Sequence, residues 1–138
     1  GVKIAEKALL PKAVISFIRT HHGRGKAKYF YNSFKNQYPD KPINDELFTY
    51  PGPNPFSKET AVLMMADSVE AASRSLKEHT EESISALVNK IIDGQIADGL
   101  LKSAPLTFKD VETIKSVFVD KLKTMFHTRI SYPDLKKQ

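Results

Sequence analysis

The sequence contains no cysteine. A disulfide framework and any thiolate metal site are thereby excluded, and the composition suits a reducing compartment. No stretch approaches the roughly 20 consecutive apolar residues that a membrane-spanning helix needs. The opening "GVKIAEKALLPKA" lacks the apolar core and small-residue cleavage site of a secretory leader. No segment alternates with the period of a strand, and neither an internal repeat nor a low-complexity tract is present. Histidine is scarce, with four in the chain, and two of the four are adjacent.

What is present fits one helical domain. The chain has 138 residues, 41% of them hydrophobic, enough to enclose a core. Its net charge is +5, which favours anionic partners such as nucleotides, nucleic acid or an anionic membrane face. Acidic residues are interspersed along most of the chain, so on charge alone a mixed, solvated surface is the plainer account.

Helical periodicity covers nearly the whole sequence. "VKIAEKALL" reads as a helix ending at Pro11, a residue suited to the first position of the next helix. "PKAVISFIRTHH" carries Val14, Ile15, Phe17 and Ile18 at helix spacing and stops at Gly23. "GKAKYFYNSFKNQY" predicts a shorter helix. "PDKPINDELFTYPGPNPF" follows, with five prolines and a glycine, and is either a functional loop or a disordered one. Ser57 caps "KETAVLMMADSVEAASRSL", with Glu59 in its first turn. Thr80 starts a helix with Ile84, Leu87, Val88, Ile91 and Ile92 on one face. Thr107 caps a last helix with Asp110 in the position of a capping-box acid, and with Val111, Ile114, Val117, Phe118, Leu122 and Phe126 in a stripe. Tyr29, Phe30 and Tyr31 read as core rather than as base-stacking groups.

Two places carry candidate chemistry. His21 and His22 end a helix, where the helix dipole favours histidine. Adjacent helical residues project about 100° apart, so the pair also suits a two-metal cluster in which each imidazole serves a different ion. Asp67 lies in the apolar run Val62–Val69, where a buried carboxylate must find a cation, a donor or a metal. Arg74 or a neighbouring helix end is the simpler partner. Neutral imidazole with carboxylate suits divalent Mn, Fe, Ni, Co or Zn, and a pair of such ions activates phosphoryl groups.

Three stretches in order, "FIRTHHGRGKAKYFYN", "YPGPNPFSKETAVLMMADSVEAASRSL" and "FHTRISYP", resemble the HD domain of membrane-anchored HD-superfamily phosphohydrolases. These are the bacterial seven-transmembrane HD receptors, the PgpH type of cyclic di-AMP phosphodiesterase. The resemblance implies an all-α, HD-domain-like helical bundle with two divalent metal ions, manganese or iron. It implies hydrolysis of cyclic di-AMP to pApA. It matches His21 and His22 to the paired-histidine ligands and Asp67 to the last aspartate ligand.

The family's complete site also has an earlier histidine, then the histidine-aspartate doublet, then one more histidine before the pair. None of these occurs here; His79 and His127 lie downstream and read as capping or terminal residues. The first helix begins at Gly1 without a cap. Residues 1–138 are therefore expected to be the C-terminal portion of a single HD-type domain whose N-terminal part is missing. Alone, the portion is expected to bind metal weakly and to be inactive.

Arg24, Lys28, Tyr50, Ser68 and Arg74 are candidate substrate-binding residues: the cations for phosphate, Tyr50 for stacking on an adenine. Solvated charges, a rigid turn at Tyr50 and a pairing of Arg74 with Glu70 are the plainer readings. No residue is an obvious general acid. The expected partners are a cyclic dinucleotide, upstream transmembrane and sensor regions, and a second copy covering the apolar faces left open; no nucleic acid is expected. The expected location is the cytoplasmic side of a bacterial inner membrane, with this domain itself soluble. The alternative function is a non-catalytic helical domain for regulation, oligomerisation or nucleic-acid binding.

Overall fold

The computed structural model describes residues 1–128 of the chain. The family-like stretch "FHTRISYP" therefore falls mostly outside the described residues. Six helices follow in order: α1 Val2–Lys7, α2 Lys12–Thr20, α3 Lys28–Gln37, α4 Lys58–Ser73, α5 Glu81–Ala97 and α6 Phe108–Thr128. A 3-10 turn, Asp45–Phe48, lies between α3 and α4. No strand forms among the described residues, and one antiparallel bridge pairs Lys26 with Thr49. The expected all-α architecture holds. No helix among the described residues is long and apolar enough to cross a membrane.

α4 is the central element. Its run of apolar residues allows it to pack against α2, α5 and α6 at once. Ala61, Met64, Met65 and Val69 of α4 meet Ile84, Val88 and Ile92 of α5 and Leu122 of α6 in the buried core. Each of these side chains other than the methyl of Ala61 contributes about 1.5–3 kcal/mol by leaving water. Among the stripe positions of α6, Val117 remains 45% exposed, so the stripe is wider than the surface it covers.

Local chemistry sets the helix ends. Ser57 accepts from the Thr60 amide while the Thr60 hydroxyl accepts from the Ser57 amide, a reciprocal cap that fixes the start of α4. Thr80 and Ser83 do the same for α5. At α6 the Thr107 hydroxyl accepts from the Asp110 amide at 3.0 Å and Asp110 Oδ2 accepts from the Thr107 amide at 3.0 Å, the expected box with the shorter acid. Lys58 adds an ion pair to Asp110 at 3.0 Å, tying the starts of α4 and α6 together.

Two expectations need correction, and the proline-rich segment takes one of the two forms expected of it. Pro11 precedes the first residue of α2 as its N-cap instead of occupying that first position, and α1 stops at Lys7 because Leu9 turns left-handed at φ 54°. Tyr29 and Phe30 are not core: they are 77% and 64% exposed and touch each other edge to face. Only Tyr31 of that trio turns inward, against Phe48. The proline-rich segment is an ordered connection, with a cis Gly52–Pro53 bond and a backbone pairing to the chain after α2.

Candidate metal centre and adjoining cleft

His21 and His22 occupy the turn in which α2 ends. The His21 amide still donates to Phe17 O at 3.1 Å, so His21 is the cap that closes α2. Gly23 then reverses the chain at φ 53°. A Cβ there would meet Asn54 Oδ1 at 2.9 Å and Met64 Sδ at 3.2 Å, which explains why the position is glycine. Asn54 Oδ1 in turn accepts from the Arg24 amide at 2.8 Å. Tyr50 is drawn in by its amide, which donates to Gly25 O at 2.9 Å. Its ring stacks on His22 with centroids 4.3 Å apart and planes 19° from parallel. The histidine turn is thus clamped between α4 and the proline-rich segment.

Asp67 reaches the same place from the middle of α4. Its Oδ2 lies 3.8 Å from His22 Nδ1. The expectation of a buried carboxylate is not met: the Asp67 side chain is 47% exposed, because it faces outward along the helix edge beside Met64 and Met65, which fill the core. Arg74 does not neutralise it. Arg74 donates from Nε and from a terminal nitrogen to the two Glu70 oxygens, both at 2.9 Å, one turn back on α4.

The protonation pattern of the pair suits cation binding. His21 Nδ1 lies 2.7 Å from Ile18 O. A carbonyl only accepts, so Nδ1 is the donor, and in the neutral ring that leaves the lone pair on Nε2. Fixing one ring nitrogen on a carbonyl is the usual way a metal-binding imidazole is oriented. His22 is kept neutral by burial first and by the adjacent His21 ring second; both lower its pKa, against an opposing pull from Asp67. The two rings lie 3.9 Å apart between centroids and tilt by 40°.

Two ligands of one ion with bonds of about 2.1 Å stand roughly 3–3.5 Å apart. The His22–Asp67 separation is slightly longer and closes with a small side-chain rotation. Among the described residues no three His, Asp or Glu side chains are grouped closely enough to hold an ion. The donor set of His21, His22 and Asp67 therefore fits a divalent cation in kind and falls short in number.

The histidine pair forms a ridge between two hollows. His21 and Asp67 border a shallow one of about 260 Å³, otherwise apolar and lined by Val14, Phe17, Ile18 and Leu63. His22 borders a larger cleft of about 420 Å³ that runs between the Lys26–Tyr50 region and α5. Of the candidate substrate residues, Lys28, Tyr50 and Ser68 line this cleft. Arg24 and Arg74 stand away from it, the first over Gly52 and the second on Glu70. Sequence reasoning missed the α5 side of the cleft, which presents Lys90 and Gln95; the signal that pointed there is a glycine inside the α5 pattern. His79 donates to or accepts no group of the site: its ring lies on Phe126 at 3.6 Å, with Nε2 3.0 Å from Ser73 O.

No protein-family model matches the chain. The cyclic-di-AMP phosphodiesterase PgpH of Bacillus subtilis is 39% identical over 138 residues, which is all of this chain and 19% of that protein. The crystal structure of the HD domain of L. monocytogenes phosphodiesterase PgpH superposes with a TM-score of 0.83 at 29% identity, covering 91% of this chain and 58% of that one. The same domain in complex with cyclic-di-AMP gives a TM-score of 0.83 at 31% identity, covering 90% of this chain and 57% of that one. The chain spans about a fifth of the length of the curated relatives it matches.

Proposed function

As the chain belongs with the HD-type phosphohydrolases and is homologous to PgpH, we propose that it is the C-terminal portion of an HD domain that hydrolyses cyclic di-AMP to pApA. The observation that carries this reading is the approach of His22 and Asp67 to 3.8 Å, from the turn after α2 and from α4, beside an imidazole whose Nδ1 is held by Ile18 O. In the relatives the named activity is that of a cyclic-di-AMP phosphodiesterase, and the related HD domain is solved with that dinucleotide bound.

His21, His22 and Asp67 would hold divalent ions, manganese or iron, at this place. Such a pair, when bound, supplies the Lewis acidity that phosphodiester cleavage needs. The chain's own residues prepare the site. Ile18 O holds the His21 ring in one tautomer. Tyr50 backs the His22 ring and limits its rotation. Lys28 brings positive charge to the cleft where the phosphates would lie. Three donors are fewer than two ions take, so the remaining ligands come from outside this set and the 138-residue chain alone binds metal weakly and is inactive. The reading also places the domain on the cytoplasmic side of a bacterial inner membrane, joined to transmembrane and sensor regions and assembled as a homo-oligomer.

Metal content and cyclic di-AMP turnover, measured on the full-length protein and on this chain, test the proposal. The expected result is manganese- or iron-dependent formation of pApA by the full-length protein, lost in Asp67→Ala, and a thermal midpoint of the isolated chain that manganese hardly moves. A large manganese-dependent stabilisation of the isolated chain would falsify its incompleteness. A metal-loaded full-length protein without turnover would leave a regulatory helical domain as the function.

A further inference from the structure

Leu9, in the turn between α1 and α2, has a left-handed backbone at φ 54°. A Cβ in that region crowds the carbonyl oxygen that follows it, so bulky side chains rarely stand there. Every other left-handed position among the described residues is a glycine: Gly23, Gly52 and Gly99.

Gly99 supplies the direct comparison. Its amide donates to Ile96 O at 3.0 Å and the Leu100 amide donates to Gln95 O at 3.1 Å, a two-bond cap that closes α5. The same pair of bonds closes α1: Leu9 N to Glu6 O and Leu10 N to Ala5 O, both at 3.1 Å. Glycine is the usual residue at the left-handed position of this cap, because it carries no steric penalty there. α5 follows that rule and α1 breaks it.

Packing does not offset the strain. The Leu9 side chain is 90% exposed. Leu10 beside it is exposed as well, and so is every residue from Glu6 to Val14. Backbone strain of this kind persists where a binding surface uses it. An uncovered pair of leucines at the tip of a helical turn is such a surface.

The surrounding charge indicates the partner. Lys7 and Lys12 flank the two leucines and are exposed, and no carboxylate among the described residues neutralises either. The one acid at the turn, Glu6, is held by Arg19 at 3.2 Å. The bias continues along the chain. From Lys7 to Tyr38 there are seven Lys or Arg and no Asp or Glu, whereas the rest of the chain holds more acidic than basic residues. Leucines rimmed by cations match an anionic lipid surface, which offers acyl chains to the former and headgroup phosphates to the latter. A second copy of the same turn would set lysine against lysine. Nucleic acid would use the cations and leave the leucines in water.

We propose that the α1–α2 turn is a peripheral anchor for an anionic bilayer, with Leu9 and Leu10 entering the boundary between headgroups and acyl chains and Lys7 and Lys12 lying against the phosphates. The contact is made by the domain's own surface. It requires neither a membrane-spanning segment nor the phosphodiesterase reading.

The 138-residue chain is sedimented with vesicles of equal parts phosphatidylglycerol and phosphatidylcholine, and with vesicles of phosphatidylcholine alone. Cosedimentation is expected with the anionic vesicles only. Leu9→Gly separates anchoring from folding, because the backbone at this position suits glycine. It is expected to raise the thermal midpoint by about 2–4 °C and to weaken vesicle binding at least about tenfold. Lys7→Gln combined with Lys12→Gln is expected to weaken binding about tenfold or more. As the chain has no cysteine, Leu9→Cys accepts a single environment-sensitive fluorophore, whose emission is expected to shift to the blue on the anionic vesicles. Absence of binding at about 10 mM lipid, equal binding to phosphatidylcholine alone, or a bound chain whose fluorophore stays in water overturns the proposal. So does a Leu9→Gly chain that gains stability and binds unchanged. A lipid-free dimer in light scattering that Leu9→Gly dissociates overturns it as well, by showing that a second copy covers the turn.

Discussion

His22 Nδ1 and Asp67 Oδ2 face each other at 3.8 Å, one at the end of α2 and the other in the middle of α4. Neither is deeply buried, with 43% and 47% of the side chains exposed. A pair this open adds little to folding, because solvent screens its attraction. Asp67→Ala is therefore expected to change the unfolding free energy by less than about 1 kcal/mol. In the full-length protein the same change is expected to reduce kcat/KM for cyclic di-AMP by at least about a hundredfold. Denaturant unfolding and steady-state turnover check the two halves, and loss of both in proportion would mean that Asp67 is structural.

The lowered pKa of His22 carries a sign. Folding favours its neutral form, so its contribution to stability is complete above the ordinary histidine value of 6.5 and is lost as pH falls through the lower folded value. Replacement by Gln removes this segment of the curve. The difference between the parent chain and His22→Gln in chemical denaturation should narrow as pH drops from 7 toward 5. Metal ligation needs the same neutral imidazole, so turnover should fall over that range as well.

Asp110 titrates at the other end of the molecule. The Thr107 backbone hydrogen bond is the main cause of its lowered pKa, followed by the Lys58 hydrogen bond. Its stabilisation is thus present above the ordinary carboxylate range and is lost as pH falls through its own lower value. Asp110→Ala should lower the thermal midpoint at pH 7 by a few degrees, and the deficit should vanish in strong acid. A deficit independent of pH would show that the cap acts without its charge.

Gly23 is constrained on two counts, by φ 53° and by the closeness of Asn54 Oδ1 to any Cβ. Gly23→Ala should cost about 1–2 kcal/mol and displace the two imidazoles that precede it. Amide and imidazole NMR shifts of His21 and His22 report that displacement; unaltered shifts would contradict the clamp.

Met64 is 1% exposed between α4 and α5. Met64→Ala should cost about 2–5 kcal/mol, the range for truncation in a core that cannot collapse around the gap. Equilibrium unfolding in urea measures it.

The helices and caps were legible in the sequence because they depend on neighbours three or four residues away. Ser57, Thr80 and the Thr107–Asp110 box are of this kind. His21, His22 and Asp67 could be picked out by residue type and by family resemblance; the structure adds where the three stand. The exposure of Asp67 was not legible. An apolar run suggests burial all round, but one helix has one outward edge, and the position of that edge depends on where α2 and α5 pack. Tyr29 and Phe30 failed for the opposite reason: aromatic residues read as core wherever they occur, and among the described residues α3 has no partner large enough to cover them. The bond from Gln95 to Ser68 was not legible either, since it joins α5 to α4.

α3 buries none of its residues, and among the described residues its one neighbouring element is the 3-10 turn Asp45–Phe48. It is attached through the pairing of Lys26 with Thr49 and the flanking bonds Ala27 N to Phe48 O and Tyr50 N to Gly25 O. Such an appendage has its own melting behaviour, and its amides should exchange with solvent long before those of α5. Because Tyr50 belongs to its hinge and rests on His22, unzipping those few bonds would free the imidazole while the interior stays folded.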